Sequence, residues 1–184
     1  IPSNTMRKIL INCDLGEWED TAFTRALMPH LHMANIACGG HAGSENTIKC
    51  CAEMAAENGV LTGAHPGIPG DQGRTLPSGF GLADFAFLLD QQLTTYLSTG
   101  TPLHHIKLHG ALYHLSENDA SVRSAFLDFA TDQGCTIIAL AGGKVAEQAK
   151  ANDLKCFEEA FLDRNYLPDS NLVPRSHSDA TLRD

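Results

Sequence analysis

The chain predicts an α/β fold with parallel strand pairing, curled into a closed or nearly closed barrel. Three observations carry this expectation. Short apolar runs alternate with helical periodicity along the chain, the pattern that parallel sheets with crossover helices produce. Several of the runs end on a polar, titratable residue, and parallel α/β folds place their sites at such strand ends. The glycines at 39, 40 and 43 do not form a G-x-G-x-x-G fingerprint after the first strand, and no Walker A motif occurs. A flavodoxin-like sheet is the alternative arrangement.

Taken in order, the first strand is expected over Arg7–Asp14, followed by a turn at Leu15-Gly16-Glu17 and a helical or irregular stretch over Trp18–Pro29. Met33–Cys38 reads as the second strand. A helix from about Glu45 to Asn58 follows. Its apolar positions Ile48, Cys51, Ala52 and Ala55 keep an i, i+3, i+4, i+7 spacing, Ser44 is placed to cap its start, and Gly59 to end it. Val60–Ala64 is the third strand. Pro66–Gly81 is dense in glycine and proline and reads as a long loop, of a length that suits a cover over a site. A helix over about Leu82–Leu97, a strand over His105–Leu108, a helix over Asp119–Gln133, a strand over Thr136–Leu140, a short helix near Lys144–Ala151 and a strand over Lys155–Phe161 complete the alternation. The 184 residues suit one domain, with residues 1–5 an extension before Met6 and residues 162–184 an irregular tail.

Composition narrows the function classes. Apolar residues make up 43% of the chain, as in globular proteins. A net charge of -9 argues against a nucleic-acid partner, because phosphates are neutralised by basic surfaces. No apolar run approaches membrane-spanning length, and no leader segment is recognised at the N-terminus. The six cysteines show no C-x-x-C spacing and read as buried thiols in a reducing cytoplasm rather than as a disulfide frame or a zinc cluster.

The candidate chemistry lies at the strand ends. Asp14 closes the first strand, with Glu17 three residues on; the pair can divide acid and base roles, or Glu17 can be a surface or capping residue. His41, His65 and His109 follow three further strands. Ends of neighbouring parallel strands converge, so these groups can act as metal-free general acids and bases, or can bind a divalent metal through Asp14, His41 and His65. Spacing does not separate these readings. On a strand Lys107 and His109 share a face, and a lysine inside an apolar strand needs a carboxylate, from the protein or from a substrate. Asn12 and Asn35 either line the same mouth or are satisfied core amides. Arg164 either holds an anion or joins an internal network with Asp163. His104, His105 and His114 read as loop or surface residues.

Several segments resemble the LamB/YcsF family, in family order and over almost the whole chain. They are Asn12-Cys13-Asp14-Leu15-Gly16-Glu17, the run from Ala34 to Gly43, Gly63-Ala64-His65-Pro66, Lys107-Leu108-His109-Gly110-Ala111-Leu112-Tyr113, the run from Glu159 to Tyr166, and Leu172-Val173-Pro174-Arg175-Ser176. The resemblance is to the A-type component of the prokaryotic ATP-dependent 5-oxoprolinase. It implies a distorted (β/α) barrel of the glycoside hydrolase and polysaccharide deacetylase type. It implies opening of the cyclic amide of 5-oxoproline to glutamate, with ATP used together with partner subunits of the B and C type. Relative to that family, the last barrel strand, which carries a His-Gly-Asp segment, is absent from this chain, so the barrel is expected to be open or completed by another chain. Gly40 stands where an aromatic residue is usual, which is expected to loosen the pocket wall, and the loop after His65 departs from the family pattern over Ile68–Arg74.

The leading expectation is therefore a cytoplasmic hydrolase component that works on a small cyclic amide. Asp14, His41, His65 and His109 are its catalytic candidates, and Asn12, Glu17, Asn35, Lys107, Tyr113 and Arg164 its substrate-binding candidates. Asp14 or a histidine would activate water, Lys107 or Arg164 would hold a substrate carboxylate or phosphate, and His109 would protonate the departing nitrogen. Two alternatives stand beside it: a metal-dependent deacetylase-like hydrolase, and an inactive scaffold that binds partner subunits.

Overall fold

The computed structural model describes residues 9–168, 172–175 and 177–182. Six parallel strands form one sheet in sequence order: β1 (Asn12–Leu15), β2 (Met33–Ala37), β3 (Leu61–His65), β4 (His105–Ile106), β5 (Thr136–Leu140) and β6 (Cys156–Glu159). Between them run α1 (Thr21–Leu27), α2 (Glu45–Asn58), α3 (Leu82–Ser98), α4 (Gly110–Asn118), α5 (Ala120–Asp132) and α6 (Lys144–Ala151). The strands curl into a partial barrel, as expected. Side chains of the first and last strands meet across its interior, where Asn12 Nδ2 donates to Glu159 Oε2 at 3.3 Å.

Local sequence accounts for most of the boundaries. Ser44 accepts from the Thr47 amide at 3.2 Å and starts α2, which ends at Gly59 with φ 67°. Asp20 caps α1 through the Phe23 amide, and Asp119 caps α5 through Ser121 and Val122. Asp119 thus lies outside the helix it was expected to begin. The main difference is α4, which was not expected. Its first residue is Gly110 at φ 49°, and its N-cap is His109 with no side-chain cap, so the usual start signals are missing. Of the expected first strand, Arg7 and Lys8 lie outside the described residues. The described strand begins later, and Ile9 is 86% exposed before it.

β4 holds only two residues rather than the four expected, yet the chain stays alongside β3. Lys107 N–H donates to Ala64 O at 3.0 Å, and His109 N–H to Pro66 O at 2.8 Å. The period-2 alternation therefore carries on through His109. The helices cover the outside of the sheet, and Phe85, Tyr96 and Phe126 are buried there with Ile36, Ile48 and Leu89. Each such side chain contributes roughly 1.5–3 kcal/mol by leaving water. Among the described residues the tail carries two isolated bridges, Arg164 with Thr181 and Tyr166 with Leu172. No described helix is long and apolar enough to cross a membrane.

Candidate functional site

The site begins with a register row. Asp14, Asn35, Gly63 and His105 are direct neighbours across β1, β2, β3 and β4. Their side chains share the concave face, and Gly63 leaves the gap through which Asn35 reaches His105. Asn35 Oδ1 accepts from His105 Nε2 at 2.8 Å, while its Nδ2 donates to Asp14 Oδ1 at 2.8 Å and to Asn12 Oδ1 at 2.6 Å. Asn12 and Asn35 are thus satisfied interior amides, and what they satisfy is Asp14. His105 is fully buried, not a surface residue as the sequence suggested. It lies two residues before Lys107, so the period that places Lys107 and His109 on one face places His105 there too. Burial pushes its imidazole down to about 3, which keeps it neutral.

One layer further along the strands lies Lys107. Its ammonium is 2.9 Å from Asp14 Oδ1 and 3.1 Å from Glu159 Oε2. The partner that a buried lysine requires is supplied by the protein, twice. Burial would lower the Lys107 pKa, but the two carboxylates outweigh it and raise it to about 12. For Asp14, burial pulls upward, and the His65 and Lys107 charges overcome it, holding the carboxyl well below its usual range. Glu159 entered the sequence reading only as the start of a family-like run and not as a site residue; it ends β6, and the need for a counter-charge to Lys107 was the signal that could have found it.

Glu17 and three histidines form a second cluster beside the first. Gly16, at φ 74°, turns the chain out of β1, and the Glu19 carboxylate fixes the turn by accepting from the Gly16 and Glu17 amides at 2.5 and 3.1 Å. Glu17 Oε1 then lies 2.8 Å from His41 Nε2, 3.2 Å from His109 Nδ1 and 3.7 Å from His65 Nε2. Burial opposes its charge, but its contacts with His109 and His41 bring its carboxyl down to about 2. The His41 and His109 rings stack with centroids 3.6 Å apart. Asp14 joins this cluster only at its edge, 3.4 Å from His65 Nε2. Among the described residues, the four ligand-type atoms that lie within 4.8 Å of one another belong to Glu17, His41, His65 and His109, a set different from the Asp14, His41 and His65 suggested by the strand-end pattern.

The loop after β3 covers these histidines, as its length predicted. Gly67 and Gly73 pack so closely on the rings that a Cβ at Gly73 would lie 2.6 Å from His109 Cδ2. Gly40 does not open the wall: a side chain there would run into Gly67 O and the buried Gln92 amide, which are hydrogen-bonded to each other.

A cavity of about 440 Å³ opens onto both clusters. Asp14, His65, Lys107 and His109 line its floor, Tyr113 and Phe161 one wall, and Arg74, Arg164 and Arg175 its rim. Arg164 is buried and donates to Ala180 O at 3.1 Å and Val173 O at 2.6 Å, so it pins the tail while facing the cavity; its hydrogen bonds go to backbone rather than to Asp163. Arg74 and Arg175 were not singled out in the sequence, since only the loop and tail conformations bring them here. Tyr113 is buried, and burial with the Glu159 charge raises its phenol above the ordinary value. His114 also lines this cavity. A larger, open groove of about 1050 Å³ between the loop and α3 has no histidine, lysine or arginine in its lining.

Comparison with known proteins agrees with this architecture. The model of the LamB/YcsF family matches residues 9–184. Among solved structures, the lactam utilization protein of Thermus thermophilus is similar with a TM-score of 0.78 and 33% sequence identity, covering 97% of this chain and 76% of that one. A putative cellobiose-phosphate cleavage protein of Enterococcus faecalis is similar with a TM-score of 0.58 and 12% identity, covering 82% of this chain and 66% of that one, a likeness of fold alone.

Proposed function

This chain belongs to the LamB/YcsF family, and from that premise we propose that it is a hydrolase subunit of lactam utilization. In this reading it opens the cyclic amide of 5-oxoproline to glutamate, with ATP brought to the reaction together with partner subunits of the B and C type. The observation that carries the reading is the pairing of an ionised, oriented Asp14 with a cationic rim around one cavity. Among the described residues, Asp14 is the one carboxylate in the lining of that cavity.

A lactam resists water because its nitrogen donates into the carbonyl. Phosphorylation of the carbonyl oxygen by ATP would remove that resonance. The chain's own residues would then do three things. Arg164, Arg175 and Arg74 would take the substrate carboxylate or an added phosphate, as guanidinium groups do. Asp14 would orient the attacking water. Its Oδ1 is occupied by Lys107 and Asn35, which leaves Oδ2, on the His65 side, to meet it. With its pKa held so low, Asp14 is suited to fixing a water in place rather than to stripping it of a proton. Water would add to the carbon and lose a proton to solvent, the ring C–N bond would break as the nitrogen takes a proton from the histidine cluster through solvent, and the acyl phosphate left behind would be hydrolysed to glutamate and phosphate. Tyr113 and Phe161 would bound the apolar part of the ring. The reaction is assigned to the cytoplasm, where ATP is available and where the six free thiols stay reduced.

The test is ATP-dependent release of glutamate from 5-oxoproline, measured with this chain alone and with B- and C-type subunits added. Release only in the mixture is the expected result. No release, in a mixture that works with another chain of the family, would replace the hydrolase reading with that of a partner-binding scaffold.

A further inference from the structure

Two of the clustered histidines have their tautomers set by backbone carbonyls. His65 Nδ1 lies 2.7 Å from Lys107 O, and His109 Nε2 lies 2.9 Å from Gln72 O. A carbonyl oxygen only accepts, so both of these nitrogens carry hydrogen. The other two nitrogens, His65 Nε2 and His109 Nδ1, face each other at 2.9 Å. Were both rings neutral, both nitrogens would present lone pairs. Two lone pairs do not hold each other at hydrogen-bond distance; a positive charge between them does. Both also point toward Glu17 Oε1, an anionic oxygen that has drawn in the third ring through His41 Nε2.

We propose that Glu17, His65 and His109 form a binding site for one divalent transition-metal ion with a preference for nitrogen and oxygen ligands, of the zinc, cobalt or manganese kind, while His41, whose ring is stacked parallel on His109 and so shares no in-plane ion with it, holds the Glu17 carboxylate. The spacing fits. Ligand atoms at ~2.0–2.1 Å from a tetrahedral centre stand ~3.3 Å apart, and Glu17 Oε1, His65 Nε2 and His109 Nδ1 are separated by 2.9, 3.2 and 3.7 Å. The outer shell fits as well: metal-bound imidazoles commonly donate their remaining N–H to a carbonyl, which fixes the ring and raises its basicity. Here the backbone conformation makes that contact for His109. Asp71 and Gln72 both sit at positive φ, 42° and 51°, and this turns the Gln72 carbonyl onto the ring. Asp14 Oδ2, 3.4 Å from His65, stands next to the site rather than in it.

The site is tested without turnover; an ion held there would take His65 and His109 out of the proton-supplying role that the lactam reading gives the cluster. The full chain is stripped with chelator, and binding of Co²⁺ and Zn²⁺ is followed by calorimetry and by visible absorption of the cobalt form. The expected result is one ion per chain, with a cobalt d–d band and no near-ultraviolet thiolate charge-transfer band, which excludes the cysteines as ligands. Glu17→Gln and His109→Gln are expected to weaken binding at least tenfold, while His30→Gln, far from the cluster, leaves it unchanged. Nitrogen-15 NMR of the native chain, which needs no variant to fold, is expected to show Nδ1–H on His65 and Nε2–H on His109, with the opposite nitrogens shifting when Zn²⁺ is added. Absence of binding, or binding that survives both cluster substitutions, would overturn the site and leave a shared proton as the charge between the rings. Failure of the 5-oxoproline assay would leave the site standing.

Discussion

Replacing Lys107 by methionine tests the electrostatic centre of the molecule. Methionine keeps much of the side-chain volume, so the loss is mainly one of charge. The ammonium lies 2.9 Å from Asp14 and 3.1 Å from Glu159, and the Lys107 and Glu159 side chains are only 5% and 6% exposed. Its pKa of about 12 against an ordinary 10.5 includes the opposing effect of burial. At about 1.4 kcal/mol per pH unit, that shift is worth about 2 kcal/mol to the folded state. A raised lysine pKa contributes fully below the unfolded value of 10.5, and the contribution is lost as pH rises through about 12, so all of it is present at neutral pH. Removing one partner of a buried pair also strands the others, at a cost of about 3–5 kcal/mol. The expected loss is therefore about 2–5 kcal/mol, or a fall in Tm of roughly 4–20 °C for a chain of this size. Without the lysine, Asp14 loses one of the two charges that hold it ionised, and protonating it relieves part of the penalty. The gap between Lys107→Met and the native chain should then narrow as pH falls from 8 to 5. Urea unfolding followed by circular dichroism across that range measures it. A loss below about 1 kcal/mol, or a gap that does not change with pH, would refute the reasoning.

Three further outcomes follow from the same geometry. Asp14→Asn should keep the far-ultraviolet circular dichroism of the native chain while cutting 5-oxoproline turnover in the reconstituted mixture by at least about a hundredfold; full turnover would remove Asp14 from the mechanism. Gly63→Ala places a methyl against the His105 ring and carbonyl; it should cost about 1–3 kcal/mol in thermal unfolding, and a Tm equal to that of the native chain would show that Gly63 is not needed for the Asn35–His105 bridge. His105, lowered by burial to about 3, binds a proton in the unfolded chain before it does so in the native one. Stability present above about pH 6.5 is lost as pH falls toward 3, and His105→Gln, which can still donate to Asn35, should flatten that fall by about one proton; equal slopes of stability against pH would exclude His105 as the source.

Much of the site was legible because its residues obey strand geometry. Asp14, His65, Lys107 and His109 were identified from period-2 alternation and from their places at strand ends, and these features survive in the fold even though β4 shortens to two residues. The charge argument also held: a lysine in an apolar strand called for a carboxylate, and the structure supplies Asp14 and Glu159. His105 was missed because a histidine near a loop was read by type rather than by its alternation with Lys107. Helix α4 was missed because its start carries neither a capping side chain nor a favourable first residue. The association of Glu17 with His41 and His109 depends on a left-handed turn at Gly16 and on a covering loop, which no periodicity encodes.

By itself the sequence determined the alternation of strands and helices, the parallel pairing, the helix caps at Ser44 and Gly59, and the family to which the chain belongs. These follow from local preferences and from the burial of periodic apolar faces, both of which are written residue by residue. Only the tertiary structure decided that Glu17, rather than Asp14, closes the histidine cluster. It also decided that Arg74 and Arg175 join Arg164 at the cavity rim, and that two carbonyls turn the lone pairs of His65 and His109 toward each other. Such relations depend on how far the sheet curls and how the loops fold back over it, and contacts between residues distant in sequence are set by packing of the whole rather than by spacing along the chain.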